Sequence, residues 1–81
     1  MQLDFKSPPT AGRRFVVTVT AAAPGEIRVL IQGRVIREFR CPDPPCHEEI
    51  RIPKAAGGKT LTIQYRHRSG ELNSEDLPIS S

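Results

Sequence analysis

The sequence predicts an all-β fold, a two-sheet antiparallel β-sandwich of six to seven short strands. Three observations predict it. Apolar residues alternate with polar ones at period two over several short runs. Turn residues rich in Pro and Gly separate those runs at intervals of roughly 8–12 residues. No window carries the 3.6-residue period of an amphipathic helix, and eight prolines and six glycines leave little room for one.

Each strand can be justified in order. Leu3-Asp4-Phe5 offers a short first strand, ended by Pro8-Pro9. Residues 13–20 alternate cleanly: Phe15, Val17 and Val19 share one face, Val16, Thr18 and Thr20 the other. Pro24-Gly25 turns the chain. Residues 26–32 place Ile27, Val29 and Ile31 inward, and Gly33 permits a tight hairpin into residues 34–39. Two registers are open there. A two-residue loop at Gln32-Gly33 pairs Leu30 with Val35. A three-residue loop pairs Ile31 with Val35. The second is expected, because it buries Val35 with Phe39 and leaves Ile36 and Glu38 outside. Residues 48–53 form a short strand, and residues 54–59 a loop. Residues 60–66 are the cleanest strand, with Leu61, Ile63 and Tyr65 inward. Residues 69–74 read as a loop. Residues 77–80 close the domain as a strand whose Pro78 belongs at an edge.

The whole chain, residues 1–81, is expected to be one domain. A core this small gains from a covalent staple. Twelve Lys and Arg against nine Asp and Glu give a net charge of +3, and nine of the twelve are Arg. That is mildly basic, short of the dense patch of a dedicated nucleic-acid binder. The four aromatic residues, Phe5, Phe15, Phe39 and Tyr65, do not alternate with basic ones as stacking platforms, so no nucleic-acid partner is expected. No apolar run reaches the roughly 18 residues that would span a membrane. Met1-Gln2-Leu3-Asp4-Phe5 does not read as a secretory signal, so an exported form is expected to derive from a longer precursor.

Cys41 and Cys46 enclose Pro42-Asp43-Pro44-Pro45. Three prolines in four residues make a stiff turn, which holds the flanking cysteines close. A disulfide between Cys41 and Cys46 is expected, and with it an oxidising, extracellular, cell-surface or periplasmic setting. Other readings weigh less. Cys41, Cys46, His47 and His67 offer four zinc donors, but not the paired spacing of structural zinc sites. Cys41-x4-Cys46-His47 has the order of a covalent haem motif at the wrong spacing. Two free thiols in a reducing compartment are the third alternative.

The run Glu26–Ile36 with its Gly33 hairpin, the Cys41–Cys46 loop, Ile50-Arg51-Ile52-Pro53, and Leu61–Arg66 followed by Ser69-Gly70 and Asn73-Ser74 resemble the bacterial immunoglobulin-like modules of secreted and cell-surface proteins. These overlap with fibronectin type III-like domains. The resemblance spans about residues 13–79. It implies an immunoglobulin-like sandwich within a modular exported protein, beside a catalytic or anchoring domain. The chain departs from antibody-type domains: it has no core Trp and no distant Cys pair.

The function expected from these features is a non-catalytic spacer or interaction module, with other domains of the parent protein as partners and no cofactor. Catalytic groups are sparse. His67, Ser69 and Glu71 spell a Ser-His-acid set without a nucleophile turn or oxyanion site. Gly57-Gly58-Lys59-Thr60 resembles the end of a phosphate loop, but the first glycine and the helix are missing. Glu71, Asn73, Glu75 and Asp76 carry calcium-type oxygens without the required Gly turn. Two alternatives remain. Arg28, Arg51 and Arg66 occupy outward strand positions and, if their strands share a sheet, form an arginine ladder suited to an acidic polysaccharide, a phosphate or a partner's carboxylates. Cys41, Cys46 and His47 would serve a small metal-binding protein instead.

Overall fold

A computed structural model describes all residues 1–81 and contains seven strands in two antiparallel sheets. They are β1 (Gln2–Asp4), β2 (Arg14–Thr20), β3 (Gly25–Ile31), β4 (Arg34–Cys41), β5 (Cys46–Arg51), β6 (Thr60–His67) and β7 (Leu72–Pro78). One sheet has the order β1-β2-β5 and the other β4-β3-β6-β7. The chain crosses between sheets after β2, β4 and β5. The β3–β4 and β6–β7 connections are hairpins within the larger sheet. A single 3-10 turn, Lys54–Ala56, lies in the β5–β6 connection.

The inward set of each strand follows from its alternation. Phe15, Val17 and Val19 of β2, Ile27, Val29 and Ile31 of β3, Ile50 of β5, and Leu61, Ile63 and Tyr65 of β6 are all buried, with Ile52, Ala56 and Ile79 closing one end. The inner faces of the two sheets share this single core cluster. No buried side-chain oxygen or nitrogen lacks a partner.

Three expectations need correction. The Gly33 hairpin takes the two-residue loop: Ile31 pairs with Arg34 and Leu30 with Val35. Gln32 and Gly33 both have positive φ, 50° and 78°, which suits the twist of a tight hairpin. An irregularity between Val29 and Leu30 then sets Val29 opposite Arg37 and Ile27 opposite Phe39. The extra residue, Ile36, restores Phe39 to the core side, while Val35 stays exposed. The last strand begins at Leu72 rather than 77, and its polar sequence is held by full pairing with β6. The Lys54–Ala56 stretch, expected as plain loop, makes a helical turn.

The poles of the sandwich are fixed by tail contacts. Met1 donates to Asn73 Oδ1 (3.5 Å) at the pole where β7 begins. Past β7, Ile79 and Gly58 exchange contact through Gly58 N–H to Ile79 O (2.8 Å), and Ser80 N–H bonds Pro9 O (2.9 Å). Thr10 and Ser80 form a short parallel bridge there.

Candidate functional site

Cross-strand register decides what each face presents, because directly paired residues point the same way. On the outer face of the four-stranded sheet, Glu26 lies between Arg40 and Arg66. In the next row Arg28 lies between Glu38 and Gln64. Beyond it, Leu30 and Thr62 lead to Asp76, whose Oδ1 accepts from Thr62 Oγ1 at 2.7 Å. Three arginines and three carboxylates therefore alternate, and this face carries no excess charge. The hollow lined by Glu26, Arg28, Glu38, Gln64 and Arg66 holds about 50 Å³, room for little more than water.

Arg28 and Arg66 share this sheet, but Arg51 does not. It ends β5 in the three-stranded sheet, so the three arginines form no single ladder. Which sheet a strand joins depends on long-range topology, and the local alternation around Arg51 carries no trace of it.

On the outer face of the smaller sheet, Asp4, Thr18 and His47 share one row, with Thr18 Oγ1 and His47 Nδ1 2.8 Å apart. Val16 lies opposite Glu49, and Arg14 directly opposite Arg51. Arg14 Nη1 donates to Glu49 Oε1 at 2.9 Å, the one ion pair in the molecule. The juxtaposition of Arg14 with Arg51 was not visible in the sequence. Its only signal was a pair of arginines opening one strand and an arginine closing another.

The cysteines occupy the open side of the sandwich. Cys41 ends β4 at the edge of the larger sheet, Cys46 begins β5 at the edge of the smaller one, and they form a disulfide with Cα atoms 6.0 Å apart. The staple thus joins the two sheets along their shared flank. Below it Glu48, opposite Val17, and Arg37, opposite Val29, both point toward the interior at the edges. The Arg37 guanidinium lies 4.8 Å from the Phe39 ring centroid. Burial pushes the Glu48 carboxyl up from its ordinary value, against the opposing pull of Arg37 and His47. Inward charges on edge strands discourage a second sheet from adding there.

The Met1 pole carries a polar chain. Tyr65 is wholly buried and its hydroxyl donates to Ala23 O at 2.5 Å. Burial pushes its phenol up as well. The His67 ring packs edge-on against Tyr65, and its Nε2 lies 2.6 Å from Asn73 Oδ1.

The other chemical sets are not assembled. Ser69 Oγ accepts from the Glu71 N–H (3.4 Å), while His67 turns to Asn73, so Ser69, His67 and Glu71 make no relay. Asn73 and Asp76 fall on opposite faces of β7, so they and their acidic neighbours do not converge on a cation. The two sulfurs are joined to each other, and His47 faces Thr18 on the outer surface. No group of three or more His, Cys, Asp or Glu side chains is placed to hold a metal ion. No helix is long and apolar enough to cross a membrane.

No known protein family, no curated protein and no solved structure matches the chain.

Proposed function

We propose that this chain is a non-catalytic immunoglobulin-like module of the bacterial surface or secreted type, acting as a spacer or interaction domain within a larger exported protein. The observation that carries this reading is the path of the chain. It begins beside Asn73 at one pole and ends beside Gly57 at the other. Between Asn73 and Ser80 runs roughly 24 Å of extended strand, along a molecule 36 Å in its longest dimension. Such a path lets modules be threaded head to tail without doubling back.

Two features support the same reading. The three-plus-four division of strands, with orders β1-β2-β5 and β4-β3-β6-β7, suits the immunoglobulin-like and fibronectin type III-like class. The Cys41–Cys46 disulfide suits an oxidising compartment.

Two measurements test it. Scattering from two copies joined in tandem is expected to give a maximum dimension near twice that of one copy; a pair folded side by side would overturn the spacer role. Mass spectrometry of natively produced protein, alkylated before and after reduction, is expected to find both thiols blocked until reduction. Two freely alkylated cysteines would sink the exported setting.

A further inference from the structure

The net positive charge of the chain is unevenly placed. On the outer face of the larger sheet it cancels, as the alternating rows show. At the opposite pole, where β2 begins and β5 ends, it does not. Arg14 and Arg51 are directly paired across the strands, and Arg13 precedes them. Like charges directly opposite destabilise a sheet, and here only Arg14 has a carboxylate partner, Glu49.

These residues border one open hollow of about 890 Å³, lined by Arg13, Arg14, Arg51, Glu49, Ser7 and Thr10 among others. The stem of a fourth basic residue, Lys54, lies beside Gly12 in the lining. Gly12 has φ of 77°, and a Cβ there would lie 3.1 Å from Lys54 Cγ, so the Lys54 stem runs over the Gly12 backbone. The Gly12 N–H is already bonded to Ile52 O, which fixes this stretch against β5. Three arginines therefore line a hollow with a single carboxylate, that carboxylate is engaged by Arg14, and the Lys54 stem lies beside the lining residue Gly12.

We propose that this hollow is a polyanion-binding site, in which Arg13, Arg14, Arg51 and Lys54 hold the sulfate or carboxylate groups of an acidic polysaccharide. Guanidinium forks bind such groups through paired, charge-assisted hydrogen bonds. An anion between Arg14 and Arg51 removes the repulsion that the strand register imposes. Ser7 adds a hydroxyl to the lining, whereas the Thr10 hydroxyl is already engaged, donating to Pro8 O at 3.1 Å. The hollow is open enough for a chain to lie across it. The choice of carbohydrate over nucleic acid rests on the exported reading and, for single strands, on the lining, which has no aromatic ring for a base to stack upon.

The test is calorimetric titration with a heparin dodecasaccharide at low and high salt. Binding is expected at low salt and is expected to weaken steeply as salt screens it. Arg13→Gln and Arg51→Gln are each expected to weaken binding about fivefold, and together well over tenfold. The Arg28→Gln/Arg66→Gln pair, on the balanced face, is expected to stay within about twofold. Equal losses from both pairs, or affinity indifferent to salt, would overturn the site. Duplex DNA of matched charge binding as tightly as heparin would overturn the carbohydrate assignment. A folding control is built in: without ligand at low salt, Arg51→Gln is expected to melt no lower than the parent, because it relieves a like-charge pair. A clearly lower melting temperature would remove the repulsion from the case. Thiol state reports separately on export: free cysteines with binding intact sink only that reading, and lost binding with the disulfide intact sinks only the site.

Discussion

Gly25 lies directly against the ring of Tyr65: a Cβ on Gly25 would sit 2.5 Å from Tyr65 Cε1. The ring and the Arg66 backbone carbonyl oxygen, which such a Cβ would meet closer still, together occupy the space that any other residue would need at the start of β3. Gly25 pairs with Cys41 on one side and His67 on the other, so β3 cannot move away without breaking two ladders. Its φ is not positive, and the requirement is for room rather than for an unusual backbone. Gly25→Ala is expected to destabilise the fold by about 2–3 kcal/mol, read as a lower denaturation midpoint. A change below about half a kcal/mol would mean that both the ring and the Arg66 carbonyl give way freely.

The Tyr65 hydroxyl is a separate contribution. It bonds Ala23 O and so anchors the β2–β3 connection to the core. Tyr65→Phe keeps the ring and removes the donor, leaving a carbonyl that solvent can reach. A loss of about 1 kcal/mol is expected. Hydrogen exchange is expected to quicken around residues 21–25 before it changes elsewhere. Uniform quickening would place the hydroxyl's effect in the whole core instead.

The disulfide closes only a six-residue ring, from Cys41 to Cys46. Chain-entropy reasoning gives such a loop about 2 kcal/mol. Reduction with dithiothreitol is expected to lower stability by that amount without unfolding the domain at room temperature. The β4–β5 flank is expected to loosen first, because the bridge cross-links those two edges beside the turn that joins them. Collapse of the entire fold on reduction would show that the core alone is insufficient.

Glu48 makes stability depend on pH in a direction opposite to the usual carboxylate. Its folded-state pKa lies above the unfolded value because burial disfavours the charge. The folded state therefore holds the proton more tightly, and the Glu48 contribution declines as pH rises from its ordinary value through the raised one. Glu48→Gln is expected to stabilise the protein at pH 7 by less than about 1 kcal/mol and to leave it nearly unchanged near pH 4. Thermal melts across pH 4 to 7 check this. A variant less stable than the parent at pH 7 would mean that attraction to Arg37 outweighs burial.

Much of the sandwich was legible because its inner residues are β-branched or aromatic and alternate without interruption. Phe15, Val17 and Val19, then Ile27, Val29 and Ile31, then Leu61, Ile63 and Tyr65 all face inward as their spacing requires. The β7 strand was legible only at its end. Asn73, Ser74, Glu75 and Asp76 have low strand preference, and what makes them a strand is register with β6. The hairpin was misread because one extra residue, Ile36, shifts the parity of everything after it. Parity is the quantity that alternation reports, so a bulge is invisible to it. The cysteine pair was legible from the proline-stiffened turn between its members and from the even cysteine count of a small β domain. The Arg14–Arg51 row was not, since both its members looked like ordinary outward arginines until two distant strands were set side by side.

The parallel bridge between Thr10 and Ser80 has a mechanical consequence. Met1 and Ser81 leave the sandwich at opposite poles, so tension between them runs along the strands. Under that load β1 slides against β2, β7 against β6, and the Pro9–Ala11 stretch against Ser80. Their hydrogen bonds lie across the pull and share it, rather than opening one after another. A domain threaded in this way is expected to resist stretching well beyond what its modest thermodynamic stability suggests, since forced rupture follows the unfolding rate rather than the equilibrium. In single-molecule pulling, Ser80→Pro, which removes the N–H bonded to Pro9, is expected to lower the rupture force more than it lowers the melting temperature.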